Sequence, residues 1–444
     1  MTTAPPALQV EDRLAQVFQH LGISRAHVGG GYAADAVSLV RAAPESVVSM
    51  TLVCPFRLPP EPFRVFGERV LFIHGDRGPG AGSAQRIAAA LPEAKVLTLP
   101  DYVDAAWSDA LAERRAEIEP ALLAFLTEAS KGEALESVQL PQGEGEIAGV
   151  SYQVRGSGPP LVLLPLSLAR SQWDPLVPAL AERYTTIVLS GAFLGIIPSL
   201  EARMQGAYRN VVRTVVDAAD IAPGQRILEV GCGSGAVIRW LARHTAGANQ
   251  ITALDVNDYL LREAAALTSS AGLADRVTFA HGDAEELPLP SASVDVALSF
   301  TAMEEVDAER MLAEMIRVAR HGGRVGIVVR ATDMRPWVNL SLRPELLAAI
   351  ESAPGAGAAD LGCSDASLYR RFVDAGLRPI MMGPQIASDR AEDSPERLRF
   401  FVGRIAQGLP PEESQEFRNA VHDAIAAGTM IWAEPYHCAL AVKL

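Results

Sequence analysis

Three alternating glycines are the residues of this sequence whose spacing most clearly suits chemistry. Gly231, Gly233 and Gly235 lie in QRILEVGCGSGAVIRWLARH, residues 225–244, between an apolar run and a helical pattern. Glycine allows backbone conformations that a Cβ disfavours and lets a ligand approach the main chain closely. The first turn of a following helix also offers free N–H groups. The segment therefore predicts a strand, a ligand-binding loop and a helix.

Acidic residues near the ends of predicted strands accompany this loop. Glu229 precedes the first glycine, Asp255 ends the next strand, ITALD, and Asp283 follows a third strand, RVTFAH. An acidic residue roughly 20 residues beyond a glycine loop is placed to accept hydrogen bonds from ribose hydroxyls. The dinucleotide fingerprint G-x-G-x-x-G would end at position 236, which holds alanine, a residue sometimes tolerated there. The loop alone therefore does not decide the cofactor.

In order and spacing, these motifs resemble the class I S-adenosylmethionine-dependent methyltransferases over about residues 200–444. The resemblance implies an α/β domain of Rossmann-like type with seven strands and with S-adenosyl-L-methionine as its cofactor. It also implies a small-molecule methyl acceptor, either quinone-like or a secondary metabolite. It does not distinguish nitrogen, oxygen and carbon as the atom that is methylated.

The family resemblance also implies a role for each matched position. Glu229 and the glycine loop would hold the methionine moiety, and Asp255 would hold the ribose. Asp283 and Ala284 would contact the adenine. Phe300 and Thr301 would line the sulfonium side. The implied cofactor-binding residues are Tyr208, Glu229, Gly231, Gly233, Gly235, Asp255, Asp283, Ala284, Phe300 and Thr301, of which Tyr208 would close over the cofactor.

A general base is needed only if the methyl acceptor must lose a proton. His437, in AEPYHCALAVKL, is the predicted catalytic base, with Asp333 and Glu304 as alternatives. A hydrogen-bonded structural role for His437 stays open. The acceptor is expected outside the carboxyl ends of the strands. Residues 331–364 and 383–428 are predicted to reach that edge.

The segment HVGGGYAADA, residues 27–36, predicts a strand, a tight turn and a helix. An α/β-hydrolase carries its G-x-S-x-G nucleophile at such a turn. The elements of residues 1–195 resemble that fold with its two halves in reversed order, as in a circular permutation. Residues 126–146, rich in Gly, Glu and Ser, are the predicted internal linker.

The three positions that match the hydrolase triad lack its chemistry. Gly31 stands at the nucleophile position, Gly78 at the acid position with Asp76 nearby, and Asp104 at the histidine position. Acyl transfer of this type needs a nucleophile, a base and an orienting acid together. The segment is therefore predicted to be a non-catalytic scaffold, a lid over the acceptor cleft or the surface of a homo-oligomer.

Two other functions stay open from the sequence. One is a non-enzymatic regulatory protein that binds S-adenosylmethionine without transferring its methyl group. The other is a hydrolase with an unrecognised catalytic set. The intact glycine loop with its acidic partners favours the methyltransferase over both.

Composition narrows the class of protein. A chain of 444 residues is longer than a usual single core and predicts two domains. A net charge of −14 disfavours nucleic acid as a partner. The four cysteines lack metal-ligand spacing, so no metal site is predicted and a reducing cytoplasm is expected. The most apolar stretch, 185–200, is shorter than the ~20 residues of a membrane span, and the N-terminus lacks a signal sequence.

Overall fold

A computed structural model describes most of the chain, which divides into two compact units, Met1–Pro198 and Ser199–Leu444. The first nine residues, where no signal sequence is predicted, lie outside the described residues, as does 353–360 of the predicted acceptor region. The described residues are 10–55, 58–78, 80–104, 108–132, 135–166, 170–191, 194–352, 361–407 and 409–444.

The first unit is built on one sheet, whose eight described strands run in the order β4-β3-β2-β1-β7-β8-β6-β5. The bounds are β1 Ala26–Gly30, β2 Val47–Val53, β3 Val70–Arg77, β4 Lys95–Val103, β5 Gly143–Ile147, β6 Val150–Arg155, β7 Pro160–Leu163 and β8 Thr185–Gly191. Neighbours from β4 to β8 pair in parallel, and β5 and β6 pair antiparallel. The central strands β1 and β2 are buried throughout, as expected of parallel strands covered on both faces.

Helices cover the sheet of the first unit with two apolar clusters. The described helices are α1 Val10–His20, α2 Ala33–Ala42, α3 Ala81–Ala90, α4 Ala110–Glu113, α5 Arg115–Gly132 and α6 Val177–Ala181, with 3-10 turns at Pro44–Ser46, Glu61–Arg69 and Arg170–Trp173. The predicted linker at 126–146 is wrong at both ends, because α5 continues to Gly132 and β5 begins at Gly143. Residues 133–134 of that linker lie outside the described chain.

The second unit is also built on one mixed sheet. Its strands are β9 Arg226–Val230, β10 Gln250–Asp255, β11 Val277–His281, β12 Val294–Phe300, β13 Ala319–Arg330, β14 Trp337–Val338, β15 Arg378–Arg390 and β16 Ile431–Val442. The order is β11-β10-β9-β12-β13-β16-β14, and β15 pairs along the other edge of β16. In the described chain the sheet has eight strands, not the predicted seven, because two residues, Trp337 and Val338, pair with β16.

Helices pack on both faces of the second sheet. The helix α7, Ile197–Arg203, spans the division between the units; the following helices are α8 Tyr208–Ala218, α9 Ala236–His244, α10 Asp258–Ser270, α11 Ala308–Val318, α12 Pro344–Ser352, α13 Ser367–Asp374, α14 Pro395–Gln407 and α15 Pro411–Ala426, with a 3-10 turn at Ala274–Arg276. The apolar faces of α8, α9 and α10 share one cluster, and those of α11 and α13 share another. A third cluster, around Trp432, unites α12, α14 and α15.

Local sequence explains where α10 begins. The Asn257 side chain accepts hydrogen bonds from the N–H groups of Tyr259 and Leu260 and so caps α10. The predicted acceptor region 383–428 begins within β15, which continues to Arg390. Among the described residues, no helix is both long and apolar enough to cross a bilayer.

Candidate functional site

Three parallel strands of the second sheet end at the same edge. The backbone register aligns Val230 of β9 with Leu254 of β10 and Ser299 of β12. Asp255, the last residue of β10, and Thr301, the first residue after β12, therefore lie at the same edge of the sheet. In open α/β sheets this carboxyl edge is where ligands bind.

The glycine loop after β9 adopts a conformation that other residues rarely take. Gly231, Gly233 and Gly235 have φ of +77°, +54° and +74°. A Cβ at Gly231 would also lie 2.3 Å from the Cβ of Ala302, which leaves no room for one. The Gly231 N–H donates to the carbonyl oxygen of Leu254 at 2.8 Å, so the loop folds back over β10.

Asp255 is buried beside the loop and is held by main-chain donors. Its Oδ2 accepts from the N–H of Gly233 at 2.8 Å, and its Oδ1 accepts from the N–H of Asn257 at 3.0 Å. Burial raises the pKa of this carboxyl, and the two backbone hydrogen bonds oppose that rise. Because each carboxylate oxygen has two lone pairs, Asp255 can still accept hydrogen bonds from a ligand.

Glu229 is a buried acid at this edge with one unsatisfied oxygen. It is 1% exposed, and its Oε2 has no hydrogen-bond partner among the described residues. Burial raises the pKa of this carboxyl well above its usual range; the negative charge of Asp255 adds to the rise, and Arg203 opposes it. An unsatisfied buried polar group costs roughly 1–3 kcal/mol. A ligand donor at this position would remove that cost.

Asp283 and Ala284 follow β11 at the same edge of the sheet. Asp283 is exposed and Ala284 is half-buried. The Asp283 Oδ1 accepts from the N–H of Glu285 at 2.8 Å, which fixes the local turn. One oxygen of Asp283 is thus occupied by the turn.

The end of β12 is strained at the position predicted to face the sulfonium. Phe300 is buried, whereas Thr301 is half-buried and has φ of +62°, a conformation unusual for a β-branched residue. The Thr301 N–H donates to the carbonyl oxygen of Val328 at 2.7 Å, which holds the backbone in place. Such strain concentrates at functional sites.

Arg203 also lies at this edge, and the sequence prediction missed it. Its Nη2 donates to Thr301 Oγ1 at 2.7 Å, and its guanidinium carbon is 4.3 Å from the centre of the Tyr208 ring. The rings of Tyr208 and Tyr436 are 4.9 Å apart. Arg203 ends the short helix α7, and only its proximity to Tyr208 in sequence hinted at a role.

The same short helix is tied to the glycine loop. The Ser234 hydroxyl donates to Glu201 Oε1 at 2.6 Å. Arg239 on α9 pairs with the same carboxylate and also donates to the carbonyl oxygen of Ser234 at 2.8 Å. The helix α7 is therefore fixed against the loop by a network of charged hydrogen bonds.

Cys232 lies inside the loop but is buried. Burial raises the pKa of its thiol well above the usual range, and the carboxyls of Asp255 and Glu229 add to the rise. Since the thiolate is the reactive form, this cysteine is a poor nucleophile.

The predicted base, His437, is buried on β16 between two polar partners. Its Nδ1 lies 2.7 Å from the hydroxyl of Tyr369, and its Nε2 lies 2.7 Å from Asp333 Oδ1. Burial disfavours the Asp333 carboxylate, but the hydrogen bonds from His437 and the N–H of Ala366 outweigh it and lower its pKa. Because an ionised Asp333 only accepts, we assign the ring proton to Nε2.

The other predicted base is engaged elsewhere. Glu304 is 2% exposed and forms an ion pair with Arg330. Its Oε1 also accepts from the Arg330 N–H at 2.6 Å. Removing either partner of such a pair leaves a buried charge. Glu304 is therefore a structural partner of Arg330 rather than a free base.

In the first unit, the nucleophile position cannot hold a side chain. A Cβ at Gly31 would lie 2.4 Å from the carbonyl oxygen of Val53 and 2.9 Å from that of Leu166. Gly78, at the acid position, has φ of +83°, and a Cβ there would lie 2.8 Å from Val103. Neither position has space for a catalytic residue.

The remaining candidate groups of the first unit are two acids and one thiol. Asp104, at the histidine position, is buried and accepts from the N–H of Gly75 at 3.4 Å. Burial raises the pKa of the nearby Cys54 thiol well above its usual range, and the carboxyls of Asp104 and Glu113 add to the rise. Asp76, near the acid position, is exposed. This constellation contains no activated nucleophile among the described residues.

Comparison with known protein families finds a match within the second unit. Residues 227–323 match the family described as a methyltransferase domain. This region contains the glycine loop, Asp255, Asp283 and Thr301.

Individual relatives are also methyltransferases by name. The chain is 29% identical over 130 residues to the ubiquinone/menaquinone biosynthesis C-methyltransferase UbiE of Psychromonas ingrahamii. That match covers 29% of this chain and 52% of UbiE. It is 34% identical over 165 residues to the O-methyltransferase resE of Aspergillus sclerotiorum. That match covers 35% of this chain and 61% of resE. A solved geranyl diphosphate C-methyltransferase from Streptomyces coelicolor is 13% identical, with 53% of this chain and 78% of that chain covered and a TM-score of 0.34. The chain spans about half the length of the first curated relative.

Proposed function

We propose that the second unit is an S-adenosylmethionine-dependent methyltransferase acting on a small-molecule acceptor. The observation that carries the proposal is the unpartnered, buried Oε2 of Glu229 beneath a loop of left-handed glycines. The family match over residues 227–323 and the methyltransferase relatives support it. The name of the ubiquinone/menaquinone biosynthesis relative supports a quinone-like acceptor. A secondary-metabolite acceptor is the other class that the sequence resemblance implies.

The residues at the carboxyl edge fit the cofactor. Glu229 offers an acceptor that lacks a partner, which suits the ammonium group of a methionine moiety. Asp255 keeps free lone pairs for the ribose hydroxyls. The proposed set is completed by the glycine loop, Tyr208, Asp283, Ala284, Phe300 and Thr301.

When bound, the cofactor supplies an activated methyl group on its sulfonium. The chain then has to align the acceptor atom and exclude water. The strained backbone at Thr301 and the buried rings of Tyr208 and Tyr436 give this edge a fixed, largely apolar wall. The main contribution proposed for these three residues is therefore to align the acceptor atom with the methyl group.

Where the acceptor must lose a proton, we propose His437 as the group that takes it up. Both ring nitrogens have partners, so protonation requires the contact with Tyr369 to open. His437→Gln should then lower kcat by about 100-fold or more. Tyr369→Phe frees Nδ1 and should shift the pH profile rather than abolish turnover. Equal, pH-independent losses in both variants would assign His437 a structural role.

We propose further that the first unit is a hydrolase-like domain without hydrolase activity. The crowding at Gly31 and the buried, protonated thiol of Cys54 support this proposal. The roles proposed for it are a scaffold, a lid over the acceptor cleft or the surface of a homo-oligomer. Labelling of the intact chain with serine- and cysteine-directed activity probes should give no adduct in residues 1–198, and a stoichiometric adduct there would contradict it.

The first test is calorimetric titration of the purified chain with S-adenosylmethionine and, separately, with NAD. Saturable binding of S-adenosylmethionine alone is expected. Asp255→Ala should weaken it, whereas Asp275→Ala, which removes an exposed acid beyond the other end of β11, should not. Binding of NAD, or no binding at all, would overturn the proposal. Bound cofactor with no transfer across an acceptor screen would favour the non-enzymatic alternative.

A further inference from the structure

The peptide that joins the two units is fixed at its first end by a buried acid of the first unit. Asp35, in the segment HVGGGYAADA, is fully buried, and its Oδ2 accepts from the N–H of Gly195 at 2.7 Å. Gly195 has φ of +76°, and a Cβ there would lie 3.1 Å from the side chain of Pro165. Burying an acid is costly unless it is hydrogen-bonded. The first unit therefore uses a buried carboxyl group to hold the residue from which the connection departs.

The other end of the connection holds the glycine loop. The helix α7, Ile197–Arg203, begins two residues after Gly195. Its Glu201 accepts from the Ser234 hydroxyl at 2.6 Å and pairs with Arg239. Arg239 in turn donates to the carbonyl oxygen of Ser234 at 2.8 Å. Glu201 therefore restrains Ser234 both directly and through Arg239.

A second residue of α7 contacts the middle of the same loop. Leu200 Cδ1 lies 3.5 Å from the Cβ position of Gly233, and the Gly233 N–H donates to Asp255 at 2.8 Å. The path from Gly195 to Glu201 is mostly helical, with a rise of about 1.5 Å for each residue. A short, hydrogen-bonded helix can transmit a displacement from one end to the other, because it is a rigid element. A shift at Gly195 would therefore reach the glycine loop.

We propose that Asp35 and Glu201 are positioning residues for the glycine loop, so that the folded first unit holds this loop in its ligand-binding conformation through α7. The inference rests on the proposed function and extends it by giving the first unit a part in cofactor binding. Neither residue has to touch the cofactor. A loop that is already ordered loses less conformational entropy on binding, so cofactor affinity should depend on a hydrogen bond made within the first unit. By linkage, the cofactor should strengthen that hydrogen bond in return.

Hydrogen exchange of the full chain, followed by mass spectrometry, tests the link without any ligand. Asp35→Ala removes the acceptor of the Gly195 N–H and should speed exchange across residues 231–239 by about fivefold or more. Asp35→Asn keeps an acceptor oxygen and should retain most of the wild-type protection. Asp104→Ala is the matched control, because Asp104 is also a buried acid of the first unit that accepts from a backbone N–H. It should leave exchange across 231–239 unchanged.

An insertion tests the helix separately from both contacts. Two glycines placed between Pro198 and Ser199 leave Asp35 and Glu201 in the chain but interrupt α7. This variant should reproduce the faster exchange of Asp35→Ala, and it decides the question if Asp35→Ala fails to fold. The control is the same insertion after Gly272, where no atom lies within 4 Å of the Cβ position.

Calorimetric titration with S-adenosylhomocysteine measures how far the link affects binding. The affinity should fall by about fivefold or more in Asp35→Ala and in the insertion between Pro198 and Ser199. Glu201→Ala should lower it further than Glu201→Gln, which keeps an acceptor for the Ser234 hydroxyl. In the wild-type chain, S-adenosylhomocysteine should slow exchange of the Gly195 N–H.

Unchanged exchange across residues 231–239 in Asp35→Ala and in the insertion, with circular dichroism showing folded chains, overturns the inference. Equal acceleration in Asp104→Ala also overturns it, because general loosening of the first unit would then explain the effect. Failure of the wild-type chain to bind S-adenosylhomocysteine would instead count against the proposed function, and the exchange experiment needs no ligand. The two failures are therefore distinguishable.

Discussion

Each unit has a glycine-rich turn between a central parallel strand and a helix, but the glycines serve different purposes. In the first unit, Gly29, Gly30 and Gly31 have no left-handed φ, and neighbouring atoms fill the space where a Cβ would stand. In the second unit, the loop glycines are left-handed, and Gly233 has only Leu200 near its Cβ position, at 3.5 Å.

The difference shows that a glycine-rich turn does not by itself identify a ligand site. The first turn uses glycine so that protein atoms can pack closely, whereas the second also lets the backbone turn beside an unfilled position at Gly233. The second turn also follows Glu229, a buried acid with one oxygen that has no partner among the described residues.

Gly31→Ser, which installs the missing nucleophile, should destabilise the first unit by about 3 kcal/mol, because the new Cβ would collide with the carbonyl oxygen of Val53. Denaturant unfolding of the intact chain would measure the loss. Gly82→Ser, at a helical position where only the Arg86 side chain comes within 4 Å, at 3.7 Å, is the control and should cost far less. A stable Gly31→Ser protein would show that the turn is not closed by packing.

Gly233→Ala should weaken S-adenosylmethionine binding by about tenfold, since a Cβ would enter the space through which a ligand approaches the loop. Its backbone has φ of +54°, so stability should also fall by about 1 kcal/mol. Gly272→Ala is the matched control, because Gly272 has φ of +70° and no atom lies within 4 Å of its Cβ position. Equal stability losses with unequal binding losses would establish the ligand role. Equal binding would contradict it.

Glu229→Gln should stabilise the second unit at pH 8 while weakening cofactor binding. The pKa of Glu229 is raised by burial, so the folded state keeps a proton that the unfolded state loses above its ordinary value near 4.5. Stability therefore falls as pH rises above that value, by about 1.4 kcal/mol for each unit of pKa difference. Glutamine should remove this fall, which unfolding curves at pH 5 and pH 8 would reveal.

The buried acid of the first unit supplies the control for that experiment. Burial also raises the pKa of Asp104, with the Gly75 N–H and His74 opposing the rise. Asp104→Asn should change the pH dependence of stability in the same direction and leave cofactor affinity untouched. A fall in affinity for this variant would mean that the carboxyl of the first unit also serves the cofactor.

Cys54→Ala should have the smallest effect. The thiol is buried and its pKa is raised, so it contributes packing rather than reactivity. Methyl transfer and cofactor affinity should be unchanged, and native Cys54 should resist iodoacetamide at pH 8 until urea unfolds the chain. Rapid native labelling would place a reactive thiol in the first unit.

The sequence predicted what depends on local pattern. Apolar runs near Glu229, through Asp255 and before Asp283 identified strands, and the alternating glycines identified the loop. It could not predict the two-residue strand β14, which is too short to show periodicity and exists only because Trp337 and Val338 pair with β16. The cofactor roles of the matched residues remain predictions.

Partners brought together by tertiary folding were also beyond the sequence. Tyr369 meets His437 because α13 packs on β16, and neither pattern refers to the other. Arg203 reaches Thr301 only after α7 has folded back onto the loop. Both contacts join segments with no shared periodicity, so neither contact can be predicted from composition or residue spacing.

The strand order of the first sheet also has a consequence for how the chain is synthesised. The central strand β1 pairs with β2 on one side and with β7 on the other. Its second partner leaves the ribosome about 130 residues later, roughly ten seconds at ordinary elongation rates. During that interval β1 presents an apolar, unpaired edge, which is a template for association with other nascent chains. The dependence of expression on chaperones should therefore result from the exposed edge of β1. It should decrease when residues 31–160 are synthesised faster.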